Sequence, residues 1–195
     1  MEKCLVLFVE GETEVEFYKK LLEHLHSDHY GGFGTRIEYK NVKGVGGFKS
    51  NALRKFRNEV QRKYGKTCEY TVAFCHDTDV FEFSEKPPVN WDALRKEFKA
   101  LGVKKTIQVK AVKSIEDWFL YDSESIKKFL RLSKKEKING NSGYEKLKNL
   151  FKKADRIYFK GTRCDGFVER LNMEVIIEHI QSEINPLIDF LFYGK

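Results

Sequence analysis

The sequence predicts an α/β fold, a mainly parallel sheet flanked by helices with a helical C-terminal extension. Three observations carry this. Short apolar runs recur along the chain, helix-patterned stretches alternate with them, and acidic residues follow the ends of three of the runs.

The first run, CLVLFV at 4–9, has the continuous apolar character of a buried strand. Val15, Tyr18, Leu21, Leu22 and Leu25 then form the stripe of an amphipathic helix over 12–25, with Thr13 placed to cap its start. Residues 26–35 are a polar, glycine-rich loop, and His24, His26 and His29 belong to that surface. RIEYKNV at 36–42 alternates as a second strand. KGVGG follows as a glycine turn, and FKSNALRKFRNEVQRKY at 48–64 as a basic helix. EYTVAFC at 69–75 is the third strand and ends at His76-Asp77-Thr78-Asp79. After a loop with Pro87 and Pro88, a helix spans about 91–101, and KTIQVKAV at 105–112 is the fourth strand.

Beyond it, Ser114-Ile115-Glu116-Asp117 leads into Trp118, Phe119 and Leu120, whose place is the core. Residues 123–153 are helical, broken at 139–143. DRIYFKG at 155–161 is a short extended piece, and 165–191 is mostly helical with Pro186 near its last turn. A length of 195 residues suits one domain. Residues 1–165 hold the sheet, with a helical insertion at about 123–153, and 166–195 are helices packed on it.

Composition narrows the setting. With 41% hydrophobic and 33% charged residues, the chain has the make-up of a soluble globular protein. No run approaches the roughly 18 apolar residues of a membrane span. Cys4, Cys68, Cys75 and Cys164 form no CxxC pair, which points to a reducing compartment. Met-Glu-Lys leads straight into a strand instead of a signal sequence. A cytoplasmic location is therefore expected, with no membrane partner. The net charge of +7 favours an anionic partner, nucleic acid first.

In a parallel sheet, ligands sit off the carboxyl ends of the strands. Glu10 follows the first strand, and Glu14 lies one helical turn on, so both can face one point. The helix dipole also favours acids there, whatever their role. Asp77 and Asp79 follow the third strand, and two carboxylates separated by one residue can reach one hard cation or two adjacent ones. Ser114 is a natural N-cap, with Glu116 and Asp117 in the following turn. Gly44, Gly46 and Gly47 precede a helix and could receive a phosphate, but they fail the GxxxxGK[ST] template, and an ordinary turn serves as well. Lys49, Arg54, Lys55, Arg57, Arg62 and Lys63 form a candidate backbone-binding face on the basic helix, and 127–153 is also rich in lysine. Lys160 and Arg163 close the set.

The joined order is strand-Glu-Gly, strand-Asp-Thr-Asp, strand-Ser-Ile-Glu-Asp and a late lysine. It resembles the Toprim domain, a Rossmann-like catalytic fold shared by type IA topoisomerases, bacterial primases, a ribonuclease that processes structured RNA, and OLD-family nucleases. Glu10 resembles the Toprim glutamate after strand one, and Asp77 and Asp79 its DxD. The second glutamate, Glu14, the Ser114, Glu116 and Asp117 cluster, and Lys160 resemble the OLD-like branch, including stand-alone proteins of phage defence.

The resemblance covers about residues 4–165. It implies a metal-dependent endonuclease, DNA favoured over RNA, using two Mg²⁺ or Mn²⁺ ions. Glu14, Asp77 and Asp117 would hold one ion, and Glu10, Asp79, Glu116 and Ser114 the other. Glu10, Asp77 and Lys160 would be catalytic, with Lys160 stabilising charge on the phosphate. OLD nucleases carry an ATPase ahead of the Toprim domain. This chain begins at the first Toprim strand, so an ATPase partner would act in trans. Glu12 and Glu16 should point away from the site.

Overall fold

The computed structural model describes residues 2–27, 34–79, 87–162, 164 and 166–193. Four strands, β1 (Lys3–Val9), β2 (Arg36–Asn41), β3 (Glu69–Asp77) and β4 (Val103–Ala111), form a sheet ordered β2-β1-β3-β4. Every pairing is parallel. The chain is thus α/β with helices on both faces of the sheet, and its described sheet is wholly parallel.

Side-chain alternation divides the core in two. Leu5, Leu7, Val9, Ala73, Cys75, Ile107, Val109 and Ala111 face one side. They meet α1 (Glu12–Ser27), α4 (Ile115–Phe119), α5 (Ser123–Phe129), α6 (Gly143–Lys153), α7 (Phe167–Arg170) and α8 (Met173–Tyr193). Cys4, Val6, Phe8, Tyr70, Val72, Phe74 and Val103 face the other side. There they pack on α2, the helical run 48–64, and α3 (Trp91–Ala100).

The α2 run alternates between α-helical and wider π-helical turns, the latter at Phe48–Ala52 and Phe56–Val60. Its sequence explains this. Phe48, Ala52, Phe56 and Val60 are all fully buried and spaced four apart. At 3.6 residues per turn such a repeat drifts by about 40° every four residues. The wider turns keep the stripe on the sheet.

Two expectations need correction, the capping role of Thr13 and the continuity of the helix over 123–153. Thr13 lies inside α1, and its hydroxyl donates to the Thr162 carbonyl at 2.7 Å, so it ties the first turn of α1 to the segment after Lys160. The 123–153 stretch is helical only at its two ends: α5 stops where Arg131 turns left-handed at φ 57°, and α6 starts at Gly143. The 155–161 piece joins no ladder of the sheet. Helix α8 runs through Pro186 to Tyr193, because Pro186 is on its exposed side, where water can serve the carbonyl that loses its partner. Trp118 and Phe119 are buried in the core and Leu120 packs against it.

The C-terminal helices are fastened by polar contacts as well as by the buried line Ile176, Ile180, Ile184, Leu187 and Leu191. Lys20 Nζ donates to the carbonyls of Val168, Glu169 and Leu171 where α7 ends. Buried Asp122 accepts from the Ser125 and Asn172 amides. Among the described residues, no helix is long and apolar enough to cross a membrane.

Candidate functional site

β1 and β3 lie side by side at the centre of the sheet, so Glu10 and Asp77 leave the same carboxyl edge. The Asp77 amide donates to Glu10 Oε1 at 3.0 Å, which pins the glutamate across the two strand ends. β3 runs two residues beyond its predicted end, so Asp77 belongs to the ladder opposite Ala111. Alternation turns Asp77 toward α1. It turns His76 to the opposite face, where the ring stacks on Trp91 at 4.5 Å.

Glu14 lies on the buried face of α1 with Phe17, Tyr18 and Leu21. That spacing was a readable signal, because a carboxylate in an apolar stripe needs a reason to be there. The loop after β4 brings the third group. The amides of Thr78 and Asp79 both donate to the Lys113 carbonyl, and Lys113 N donates back to Thr78 Oγ1. Ile115 N donates to Asp77 Oδ1 at 2.8 Å. Ser114 occupies the N-cap position of α4, yet its hydroxyl donates to Asp117 Oδ2 at 2.8 Å and caps no amide.

Lys160 enters from the far end of the chain. Its Nζ lies 2.9 Å from Asp77 Oδ2, 3.7 Å from Asp79 Oδ2 and 4.0 Å from Glu116 Oε2. Glu116 also accepts from the buried Tyr158 hydroxyl at 3.2 Å. Tyr158 is a site residue that the sequence reading missed. Its only signal was its place two residues before Lys160 in an alternating segment, with Ile157 and Phe159 exposed on either side. Gly11 and Gly161 pack together, and Glu12 N donates to the Gly161 carbonyl at 2.9 Å.

The electrostatics follow from this crowding. Burial pushes the Glu14 carboxyl up to about 8, and the neighbouring charge of Asp77 adds to it. Burial raises Asp77 to about 7 against the pull of Lys160, with the Glu10 charge adding to the rise. Glu10 and Glu116 are raised as well, mainly by burial, and Lys160 opposes both shifts. For Lys160 itself burial disfavours the charge, but Asp77 and Glu116 outweigh it and its pKa stands above the ordinary lysine value. The lysine is the internal counter-ion of the cluster.

Glu14 Oε2 and Glu116 Oε2 are buried without a hydrogen-bond partner, and the buried Asp77 Oδ2 meets the Lys160 ammonium at 2.9 Å. Glu10, Glu14 and Asp77 line a cavity of about 10 Å³, the room of roughly one water-sized sphere. Orphaned carboxylate oxygens around so small a space fit a hard divalent cation by chemistry. The geometry is not ready-made: among the described residues, no three His, Cys, Asp or Glu side chains are gathered so as to hold an ion as they stand. Lys160 takes the central place instead.

The grouping also differs from the expected one. Glu10, Glu14 and Asp77 share the cavity, and Asp77, Asp79 and Glu116 share Lys160. Asp117 stands apart, paired with Ser114 and packed so tightly on Gly143 that a β-carbon there would lie 2.7 Å from its carboxyl carbon.

Of the basic residues, Lys49, Arg54, Arg57, Arg62 and Lys63 are exposed, and Lys55 is half-buried. They form no single face at the acids. α2 runs back from the carboxyl edge, so Arg62 and Lys63 lie toward the amino edge. Lys63 pairs there with Glu38 at 2.6 Å, and Lys55 pairs with Glu59 at 3.5 Å. The glycine turn is no phosphate cradle, since the Gly44 amide donates to the Glu10 carbonyl and the Gly47 amide to Gly44. Glu12 accepts from Asn41 at 2.6 Å, and Glu16 lines a groove with Lys19 and Lys20; both lie outside the acid cluster. Arg163 and His29 lie outside the described residues. A cavity of about 730 Å³ lies at the amino edge near Leu22, Arg36 and Tyr39, and none of the predicted site residues lines it. No protein-family model, curated protein or solved structure matches this chain.

Proposed function

We propose that this chain is a divalent-metal-dependent nuclease of Toprim type, acting on nucleic acid with DNA favoured and phage defence as its setting. The observation that carries the reading is the gathering of Glu10, Glu14 and Asp77 on one small cavity and of Asp77, Asp79 and Glu116 on Lys160, at the carboxyl edge of a parallel sheet, with buried Glu14 Oε2 and Glu116 Oε2 lacking a hydrogen bond. A stable core has no use for such a concentration of like charge.

Glu10, Glu14 and Asp77 would hold Mg²⁺ or Mn²⁺, with Asp79 and Glu116 on the side of Lys160. When bound, such ions supply Lewis-acid stabilisation of a phosphodiester and a water activated for attack. The protein's own part is to fix the carboxylates. The Asp77 amide holds Glu10, the Ile115 amide holds Asp77, and Tyr158 holds Glu116. Lys160, released from Asp77, would stabilise negative charge on the phosphate. Exposed basic residues on α2 would add contacts to the nucleic-acid backbone that weaken with salt.

A second reading has its own support. Lys160 already neutralises the cluster, which suits a nucleic-acid-binding subunit that works with an ATPase in trans and does no chemistry itself. The test is incubation of the protein with single-stranded DNA, supercoiled plasmid and structured RNA, under Mg²⁺, Mn²⁺ or chelator. Metal-dependent cleavage, abolished in Asp77→Ala and kept in Glu12→Ala, is expected. Cleavage that survives Asp77→Ala would refute the site. Binding without cleavage would favour the subunit, and cleavage of RNA alone would make it a processing ribonuclease.

A further inference from the structure

Beside the acid cluster the surface opens into a groove of about 500 Å³, reached past Asp117 and Lys113. Lys113 is the residue whose carbonyl holds the Thr78 and Asp79 amides, so groove and acids share one loop. The groove walls are apolar for a surface: Val112 and Tyr121 are more than 40% exposed, and Leu120 and Ile138 contribute as well.

Tyr121 is set in place. Its ring stacks on His179 at 4.5 Å with an interplanar angle of 18°. Tyr121 lines the groove and His179 does not. Glu183, one turn further along α8, does line it. Lys113 and Lys146 supply positive charge at the rim. The Asp117 carboxylate is engaged by Ser114.

These features select their occupant. Apolar walls and the Glu183 carboxylate disfavour a phosphate, whereas a flat heterocycle stacks on an aromatic ring and can offer a ring N–H or an amino group to a carboxylate. The two lysines suit the phosphates on either side of that heterocycle. We propose that the groove takes one unpaired base of a single strand whose phosphate lies at the acid cluster, stacked on the Tyr121 ring that His179 holds rigid. The proposal rests on the nucleic-acid reading above and adds a substrate class, single-stranded or locally opened strands.

The test measures binding in chelator, so that cleavage plays no part. Fluorescence anisotropy compares a short labelled oligo-dT with the same sugar-phosphate backbone lacking bases. Oligo-dT should bind wild type and Tyr121→Phe more tightly than the abasic strand does. Tyr121→Ala should lose roughly 5- to 150-fold for oligo-dT and nothing for the abasic strand. His179→Ala should lose a smaller factor. Melting temperatures confirm that the variants fold. If Tyr121→Ala binds oligo-dT as tightly as wild type does, the base platform is refuted while the nucleic-acid reading stands. If wild type binds neither strand, both fall.

Discussion

Gly11 and Gly161, 150 residues apart in sequence, touch so closely that a β-carbon on Gly11 would lie 2.5 Å from the Gly161 α-carbon and 2.7 Å from Glu14 Oε2. The contact sets the loop after β1 against the residue that follows Lys160, so acid and base are positioned by backbone against backbone.

Gly11→Ala therefore should push the Lys160 loop outward. Overpacking of this kind costs about 1–3 kcal/mol. The expected outcome is a lower melting temperature together with a loss of cleavage comparable to Lys160→Ala. A melting temperature equal to wild type would show that the two glycines can separate at no cost.

Replacing Lys160 separates its two roles. In Lys160→Met the buried carboxylates lose their counter-charge, and the metal-free protein should lose about 1–3 kcal/mol, moderated because the lysine is partly exposed. Divalent cation should then restore more stability than it gives wild type. Thermal melts with and without Mg²⁺ read both changes. An equal Mg²⁺ response in the two proteins would mean that Lys160 does not compete with a cation.

Glu14 makes stability depend on pH in the direction opposite to most acids. Its carboxyl binds a proton more tightly folded than unfolded, holding it up to about 8 against an ordinary 4.5. The folded state therefore carries more protons across that window, and stability falls as pH rises through it. In chelator, Glu14→Gln should melt close to wild type at pH 5 and on the order of 5–10 °C above it at pH 8. A constant difference between the two proteins across the window would show that Glu14 ionises freely.

Lys20 carries a purely structural prediction. Its ammonium satisfies three carbonyls at the end of α7. Lys20→Met keeps the aliphatic stem and removes those bonds, which should cost about 1–3 kcal/mol. The loss should be the same with and without Mg²⁺, and hydrogen exchange should rise first in α7. Unchanged exchange there would place the tie elsewhere.

Much of this arrangement was legible because acid and apolar residues alternate on a plain rule. A buried strand running into Glu10-Gly11, and a second into Asp77-Thr78-Asp79, place carboxylates at one edge once the strands are parallel. The rest depended on contacts between distant residues. Little in the sequence distinguishes Lys160 from other lysines, and its position is set by contacts with distant residues, the Gly11–Gly161 packing and the Thr13–Thr162 bond among them. The end of α5 was hidden because Arg131 is neither glycine nor asparagine, the residues that usually take a left-handed turn. The four-residue repeat of α2 was in plain view, but its consequence, wider turns, follows only from the sheet face it covers. The contact of Asp117 with Gly143 could not be read either, because the two residues lie on elements that meet only in the folded chain.

The cluster draws on residues 10–14, 77–79, 114–116 and 160. During synthesis the chain emerges from its N-terminus. A nascent or prematurely ended chain can thus expose the acids long before the lysine that neutralises them is made. The centre comes into being only when the last of these segments docks, so its assembly reports that the chain has been made at least as far as Lys160.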